Sequence, residues 1–146
     1  AYNTIMDFEL TTLSGTKVNE KVYEVILPTS AGEIAVFPGH EPLVSVAIPG
    51  VISVRRDKHH ASEQMEYFAI SGGIVEINGS RVRVLVDEAE HGADIVEAES
   101  KAALERAVKM REDATSQIAI EKAHQLIDRH AVRLKVADLH RRKRHH

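Results

Sequence analysis

Val82, Val84 and Val86 alternate with Arg83 and Leu85 behind Arg81, a spacing of two along the chain. That period puts successive side chains on opposite faces of a strand, one set toward a core and the other toward water. Shorter strand-like runs recur through the first half: Val22–Leu27, Glu33–Phe37, Val51–Val54 and Tyr67–Ile70. Turn-forming pairs separate them, namely Ser14-Gly15, Ala31-Gly32, Pro38-Gly39, Pro49-Gly50, Gly72-Gly73 and Asn78-Gly79. Asn78-Gly79 predicts a type I′ hairpin turn joining Ile74–Ile77 to Ser80–Val86. Short strands punctuated in this way favour an antiparallel sandwich or barrel over a parallel α/β sheet.

The period changes near Gly92. From Ala93 onward the chain is rich in Ala, Glu, Lys and Leu and holds neither Gly nor Pro, a helical composition. One helix is expected over Asp94–Met110 and a second over Gln117–Arg141, with the polar break Arg111–Ser116 between them. Ile120, Ala123, Ile127, Ala131, Leu134 and Ala137 form one stripe at helical spacing. Ala98, Ala102, Ala103 and Ala107 on the first helix are small enough for two antiparallel helices to approach closely. A stripe so thin and alanine-rich holds a hairpin weakly to its surroundings. A moving element and a static cap on the sheet both fit that pattern.

Composition narrows the chemistry. Of 146 residues 43% are apolar, enough for a core, and with no Trp and only 3 Phe that core must be built from branched aliphatics and Ala. The absence of Cys excludes disulfides, thiolate metal sites and cysteine nucleophiles. No apolar run reaches the roughly 18 residues a membrane span needs. Ala1–Phe8 lacks the basic and apolar regions of a secretory signal, and Ala1 is what removal of an initiator Met would leave. The net charge of −3 hides an asymmetry, since residues 1–90 carry 7 basic and 13 acidic groups and residues 91–146 carry 12 and 9. The basic end, Arg133, Lys135, Arg141, Arg142, Lys143 and Arg144, fits either a solvated helix terminus or docking onto an acidic protein surface. Without an aromatic residue to stack on bases, nucleic acid is not the expected partner.

Motifs of catalysis are missing. There is no Gly-x-x-x-x-Gly-Lys-Ser/Thr loop and no Gly-x-Ser-x-Gly elbow, and Ser71-Gly72-Gly73 reads as a turn. The 9 His include His59-His60 in a polar turn, His145-His146 at the end, and His124 and His130 six apart on the second helix. That spacing does not place two ligands on one helical face, so no metal site is expected. The carboxylates are scattered, and no catalytic pair stands out.

Gly32-Glu33-Ile34-Ala35-Val36-Phe37-Pro38-Gly39-His40-Glu41-Pro42-Leu43-Val44 closely resembles a segment of the epsilon subunits of rotary F-type ATP synthases, called delta in mitochondria. Its prolines and glycines at fixed offsets prescribe one strand-turn-strand path; Ala35 stands where a further glycine is usual. Tyr67–Ile77, Val82–Glu90 and Ala131–Leu139 resemble further segments of that family, so the likeness covers nearly the whole chain in order.

The resemblance implies a fold and a role. The fold would be an antiparallel ten-stranded β-sandwich over residues 1–90, followed by a mobile two-helix hairpin over residues 91–146. The chain would be a non-catalytic rotor subunit on the cytoplasmic face of a bacterial inner membrane. It would touch the gamma subunit, the c-ring, and the alpha and beta subunits, and meet the membrane only through the complex. It would not be an obligate homo-oligomer. Glu33 would face the polar loops of the ring and His40 would lie near gamma. When extended, the hairpin would brake ATP hydrolysis, with Arg129, Arg133, Lys135, Arg141 and Arg142 meeting an acidic stretch of beta. Some members bind ATP on the folded hairpin through Ile/Leu-Asp-x-x-Arg-Ala. Here the matching positions are Ile95, Val96, Glu99 and Ser100, with Val96 for the Asp and Glu99 for the Arg. The lost polar contact and reversed charge imply weak or absent ATP binding, hence no cofactor. Two other readings stay open from the residues: a free-standing β-sandwich binding module with a recognition hairpin, and a small enzyme using the histidines.

Overall fold

The computed structural model describes residues 5–61 and 64–143. Ala1 and the residues to Thr4, Ser62-Glu63 in the histidine loop, and Arg144, His145 and His146 lie outside the described residues. The strands are β1 (Met6–Thr12), β2 (Gly15–Val22), β3 (Glu24–Thr29), β4 (Gly32–Val36), β5 (Leu43–Ala47), β6 (Gly50–Arg55), β7 (Glu66–Ile70), β8 (Gly73–Asn78), β9 (Arg81–Val86) and β10 (Ala89–His91). They form one folded-over sheet in the order β10-β7-β6-β3-β5-β8-β9-β1-β2, with β4 added on β3. Pairing is antiparallel except between β1 and β9, which run parallel with Phe8 opposite Val82 and Leu10 opposite Val84. The sheet wraps an apolar core in which Phe8, Leu10, Leu27, Ile52, Val75 and Val84 are fully buried. The expected alternation holds in β9, where Val82, Val84 and Val86 face inward.

Gly73 fixes where β8 crosses β9. A Cβ on it would lie 1.9 Å from the Leu85 carbonyl oxygen, far inside van der Waals contact. The two strands meet at a separation that only glycine permits.

Three local expectations are corrected. The run Val22–Leu27 is not one strand: Tyr23 interrupts it, donating its amide to the Arg55 carbonyl at 2.8 Å and setting its ring edge-on to Phe37 at 5.5 Å. The β8–β9 turn is not type I′. Asn78 pairs with Arg81, so Gly79 and Ser80 are the central residues, and neither adopts the positive φ that type I′ requires. Instead the Asn78 side chain accepts the Ser80 amide at 3.1 Å, a local asparagine turn that competes with the predicted one. The first helix begins later than Asp94. A 3-10 turn over Gly92–Asp94 comes first, Val96 is still extended, and α1 runs over Glu97–Asp113. The β-branched pair Ile95-Val96 favours that extended step.

Helix α2 spans Gln117–Lys143 and returns antiparallel after the short link Ala114–Ser116. Ala107 of α1 and Ala123 of α2 are buried in the seam between them. The single expected stripe on α2 is two stripes. Val132 and Val136, absent from the expected set, pack with Ala137 on Ala69 and Ile95, while Ala131 is exposed. The hairpin therefore lies on the sandwich along β6 and β7, held by a small apolar patch.

Candidate docking surfaces

One face of the sandwich carries apolar side chains with nothing over them. Val46 of β5 pairs with Ile74 of β8, and Ile74 with Leu85 of β9. These are 54%, 50% and 44% exposed, and Val44, two residues before Val46 on the same face, is 73% exposed. The next row carries charge instead: Arg83 bridges Glu9 at 2.8 Å and Glu76 at 3.9 Å. A contiguous apolar row bordered by ion pairs is the signature of a protein-docking surface. Strand alternation marks only Leu85, between inward Val84 and Val86, as outward-facing; the pairing register places Val46 and Ile74 beside it.

The Pro38-Gly39-His40 turn sits at one end of this sheet. Gly39 adopts a φ of 88°, and its amide donates to the Gly79 carbonyl at 2.9 Å, tying this turn to the β8–β9 turn. His40 donates from Nδ1 to the Glu41 carbonyl at 2.7 Å, and its amide donates to Phe37 O at 3.1 Å. Glu33 is exposed on β4 opposite Pro28. The structure does not bring Glu33 and His40 into hydrogen-bond contact; each faces outward from its own turn or strand.

The basic residues of α2 split into distinct environments. Arg133 binds Glu90 of β10 at 2.8 Å, and Arg129 binds Glu88 at 3.0 Å. Arg141 pairs with Glu97 of α1 at 3.4 Å and also with Asp138, while Arg142 reaches Asp138 at 3.1 Å. Lys135 is exposed. With the hairpin down, four of the five named cations thus hold carboxylates of this same chain. An open groove of about 1230 Å³ remains between hairpin and sandwich, with Lys17, Ser71, Glu88, Lys122 and Arg129 on its walls.

The four positions matched to an ATP motif are divided as well. Ile95 is buried in the hairpin–sheet patch, and Ser100 is buried with its hydroxyl unpartnered. Val96 and Glu99 are exposed. A buried aliphatic and a buried hydroxyl present nothing to a phosphate.

At the junction of sandwich and hairpin lies a group the sequence analysis did not single out. Glu66 of β7 accepts from Arg56 at 2.9 Å and faces His91 Nε2 at 3.3 Å, while Arg56 also holds Glu20 at 2.7 Å. Burial alone would raise the Glu66 carboxyl, but hydrogen bonds from Arg56 and His91 outweigh it and hold it below the usual carboxylate range. His91 packs edge-on against Phe68 at 5.0 Å and His140 at 5.9 Å. Gly92 lies directly beneath α2: a Cβ there would come within 2.9 Å of His140 Cβ. In the helical seam, burial first, then the charges of Arg133, Arg129 and Arg106, push His130 below its ordinary value. Glu88, Glu90 and His91 follow the last predicted strand, and only a strand-and-helix pairing not written in the local pattern gives them partners.

Among the described residues no group of three or more His, Cys, Asp or Glu could hold a metal ion, and no helix is long and apolar enough to cross a membrane.

Comparison with known proteins gives these surfaces a context. The ATP synthase epsilon chain of Bordetella parapertussis is 42% identical over 83 residues, 57% of this chain and 56% of that one. The match therefore spans just over half of that relative's length. The epsilon chain of Herpetosiphon aurantiacus is 31% identical over 139 residues, 94% of this chain and 98% of its own. A chain in the mitochondrial ATP synthase of Euglena gracilis, solved as OSCP/F1/c-ring, has the same fold, with a TM-score of 0.79 at 22% identity over 96% of this chain and 84% of that one. Residues 5–92 match the family described as "ATP synthase, Delta/Epsilon chain, beta-sandwich domain", and with the full-length relatives this places the chain in the delta/epsilon chain family of ATP synthase.

Proposed function

We propose that this chain is a non-catalytic central-stalk subunit of an F-type ATP synthase. The likeness to epsilon chains over 94% of its length carries the reading. The sandwich docks on the gamma subunit through the Val44-Val46-Ile74-Leu85 face, where burial of bare apolar surface supplies the driving force. Glu33 on β4 lies toward the polar loops of the c-ring, and His40 in the Pro38-Gly39-His40 turn lies toward gamma. Residues 1–90 act as the docking unit and residues 91–146 as the regulatory one. The protein sits peripherally on the cytoplasmic face of a bacterial membrane, held there by the complex.

The hairpin restrains ATP hydrolysis when it leaves the sandwich. Arg129 and Arg133 then exchange Glu88 and Glu90 for acidic groups on beta, while Arg141 and Arg142, paired within the hairpin to Glu97 and Asp138, add with Lys135 to the same field. Exchange of one carboxylate for another costs little, so small differential contacts set the populations. The Arg129–Glu88 and Arg133–Glu90 pairs keep the hairpin down without a nucleotide, in keeping with Ile95, Val96, Glu99 and Ser100 offering no phosphate contact.

Reconstitution tests this. The protein is added to a catalytic sector stripped of its own epsilon subunit, and binding and hydrolysis are followed. Val46→Lys with Ile74→Lys is expected to abolish binding. Arg133→Glu with Arg129→Glu should leave binding intact and relieve inhibition. Failure of the unaltered chain to bind would overturn the stalk assignment and favour a free-standing binding module.

A further inference from the structure

His91 occupies the pivot between sandwich and hairpin. Its Nδ1 accepts the Ala93 amide at 2.9 Å, capping the 3-10 turn Gly92–Asp94 that leads into α1. That bond fixes the tautomer: Nδ1 is unprotonated and Nε2 carries the hydrogen facing Glu66 Oε2 at 3.3 Å. The ring stands edge-on to His140 of α2, so the cap and the docked helix share one imidazole.

We propose that His91 is a proton-sensitive pin that releases the hairpin when it takes up a proton. The inference rests on the reading that the hairpin can leave the sandwich. Protonation can occur only at Nδ1, where it replaces an acceptor with a donor pointed at the Ala93 N–H. The cap is lost and two donors oppose each other. Glu66 strengthens its bond to Nε2 of the protonated ring but lies on the opposite side from Nδ1 and does not restore the cap. Glu66 on β7 is already paired with Arg56 at the end of β6, which also holds Glu20 of β2. Glu90, beside His91 on β10, is taken by Arg133 of α2, and Asp94 lies in the turn being uncapped. His140, on α2, gains a positively charged neighbour at 5.9 Å between ring centres. The turn that aims the hairpin therefore loosens as its docking face becomes more positive.

The chain has no cysteine, so two can be introduced for labelling without interference. Leu13 in the β1–β2 turn and Ile118 at the start of α2 are 88% and 75% exposed. In the full chain carrying Leu13→Cys and Ile118→Cys, energy transfer is followed from pH 8 to pH 5.5. Loss of a helix-type cap shifts the docked-to-released ratio about fivefold. The expected result is release on acidification in the parent, and a flattened response in His91→Asn, whose amide oxygen keeps the cap without titrating. His91→Ala should favour release at every pH. An acid response unchanged in His91→Asn, or removed instead by His130→Gln, overturns the assignment to His91. A hairpin that stays docked at every pH, in His91→Ala as well, overturns both the pin and the movable hairpin.

Discussion

Gly92→Ala separates hairpin docking from sandwich stability. The added Cβ would sit 2.9 Å from His140 Cβ and 3.3 Å from Val136 Cγ1. Carbon atoms settle near 3.5–4.0 Å, and neither neighbour is the free end of a flexible chain. Helix α2 must therefore back away by roughly 1 Å, opening the patch of Val136, Ala137, Ala69 and Ile95. Gly92 does not use a positive φ, so backbone strain contributes nothing. Overpacking of this kind costs about 2 kcal/mol, a shift of roughly thirtyfold in the docked-to-released ratio. Amide hydrogen exchange reads it directly: protection should fall across the last half of α2 and at Ala69, while β1, β8 and β9 keep theirs. Gly79→Ala, at a site where a Cβ meets nothing within 4 Å, is the control. Unchanged exchange in α2, or equal loss in the sandwich core, would refute the claim that Gly92 is the contact on which docking turns.

Other outcomes follow from the same contacts. Gly73→Ala drives a methyl into the Leu85 carbonyl at 1.9 Å, so the sandwich should lose more than about 3 kcal/mol and unfold early in a thermal melt. Arg133 and Glu90 are 21% and 33% exposed at 2.8 Å, and a double-mutant cycle on chemical denaturation should give a coupling of about 1 kcal/mol that shrinks at high salt. Ser100→Ala removes a buried, unpartnered hydroxyl from the helical seam; the hairpin should gain about 1 kcal/mol, visible as slower exchange in α1. Acid should weaken the fold in two steps. His130, depressed from 6.5 on folding, contributes stability that is full above that value and lost as pH falls through its folded one. Glu66, depressed from 4.5, does the same at lower pH. His130→Gln should shrink the first step in a denaturation series, leaving the share that His91 carries, and leave the second unchanged.

The sequence by itself determined which half of the chain is strand and which is helix, although its local runs did not mark β1, β2, β5 or β10. Period-two valines at 82, 84 and 86 and the Gly- and Pro-free run after Gly92 are local properties, and local sterics and solvation act on them wherever the chain goes. The segment around Pro38-Gly39-His40 was equally legible, because glycine and proline restrict the backbone at their own positions. What failed locally failed through competition: the Asn78 side chain captured the turn, and Tyr23 broke an apolar run to reach Arg55 and Phe37. Only the tertiary structure decided the surfaces. Val46, Ile74 and Leu85 become one face through cross-strand register. Glu88 and Glu90 meet Arg129 and Arg133, and His91 meets Glu66 and His140, because α2 lies back across the β7 and β10 edge of the sheet. The periodicity of a chain fixes which way each side chain points, but long-range packing alone decides what stands opposite it.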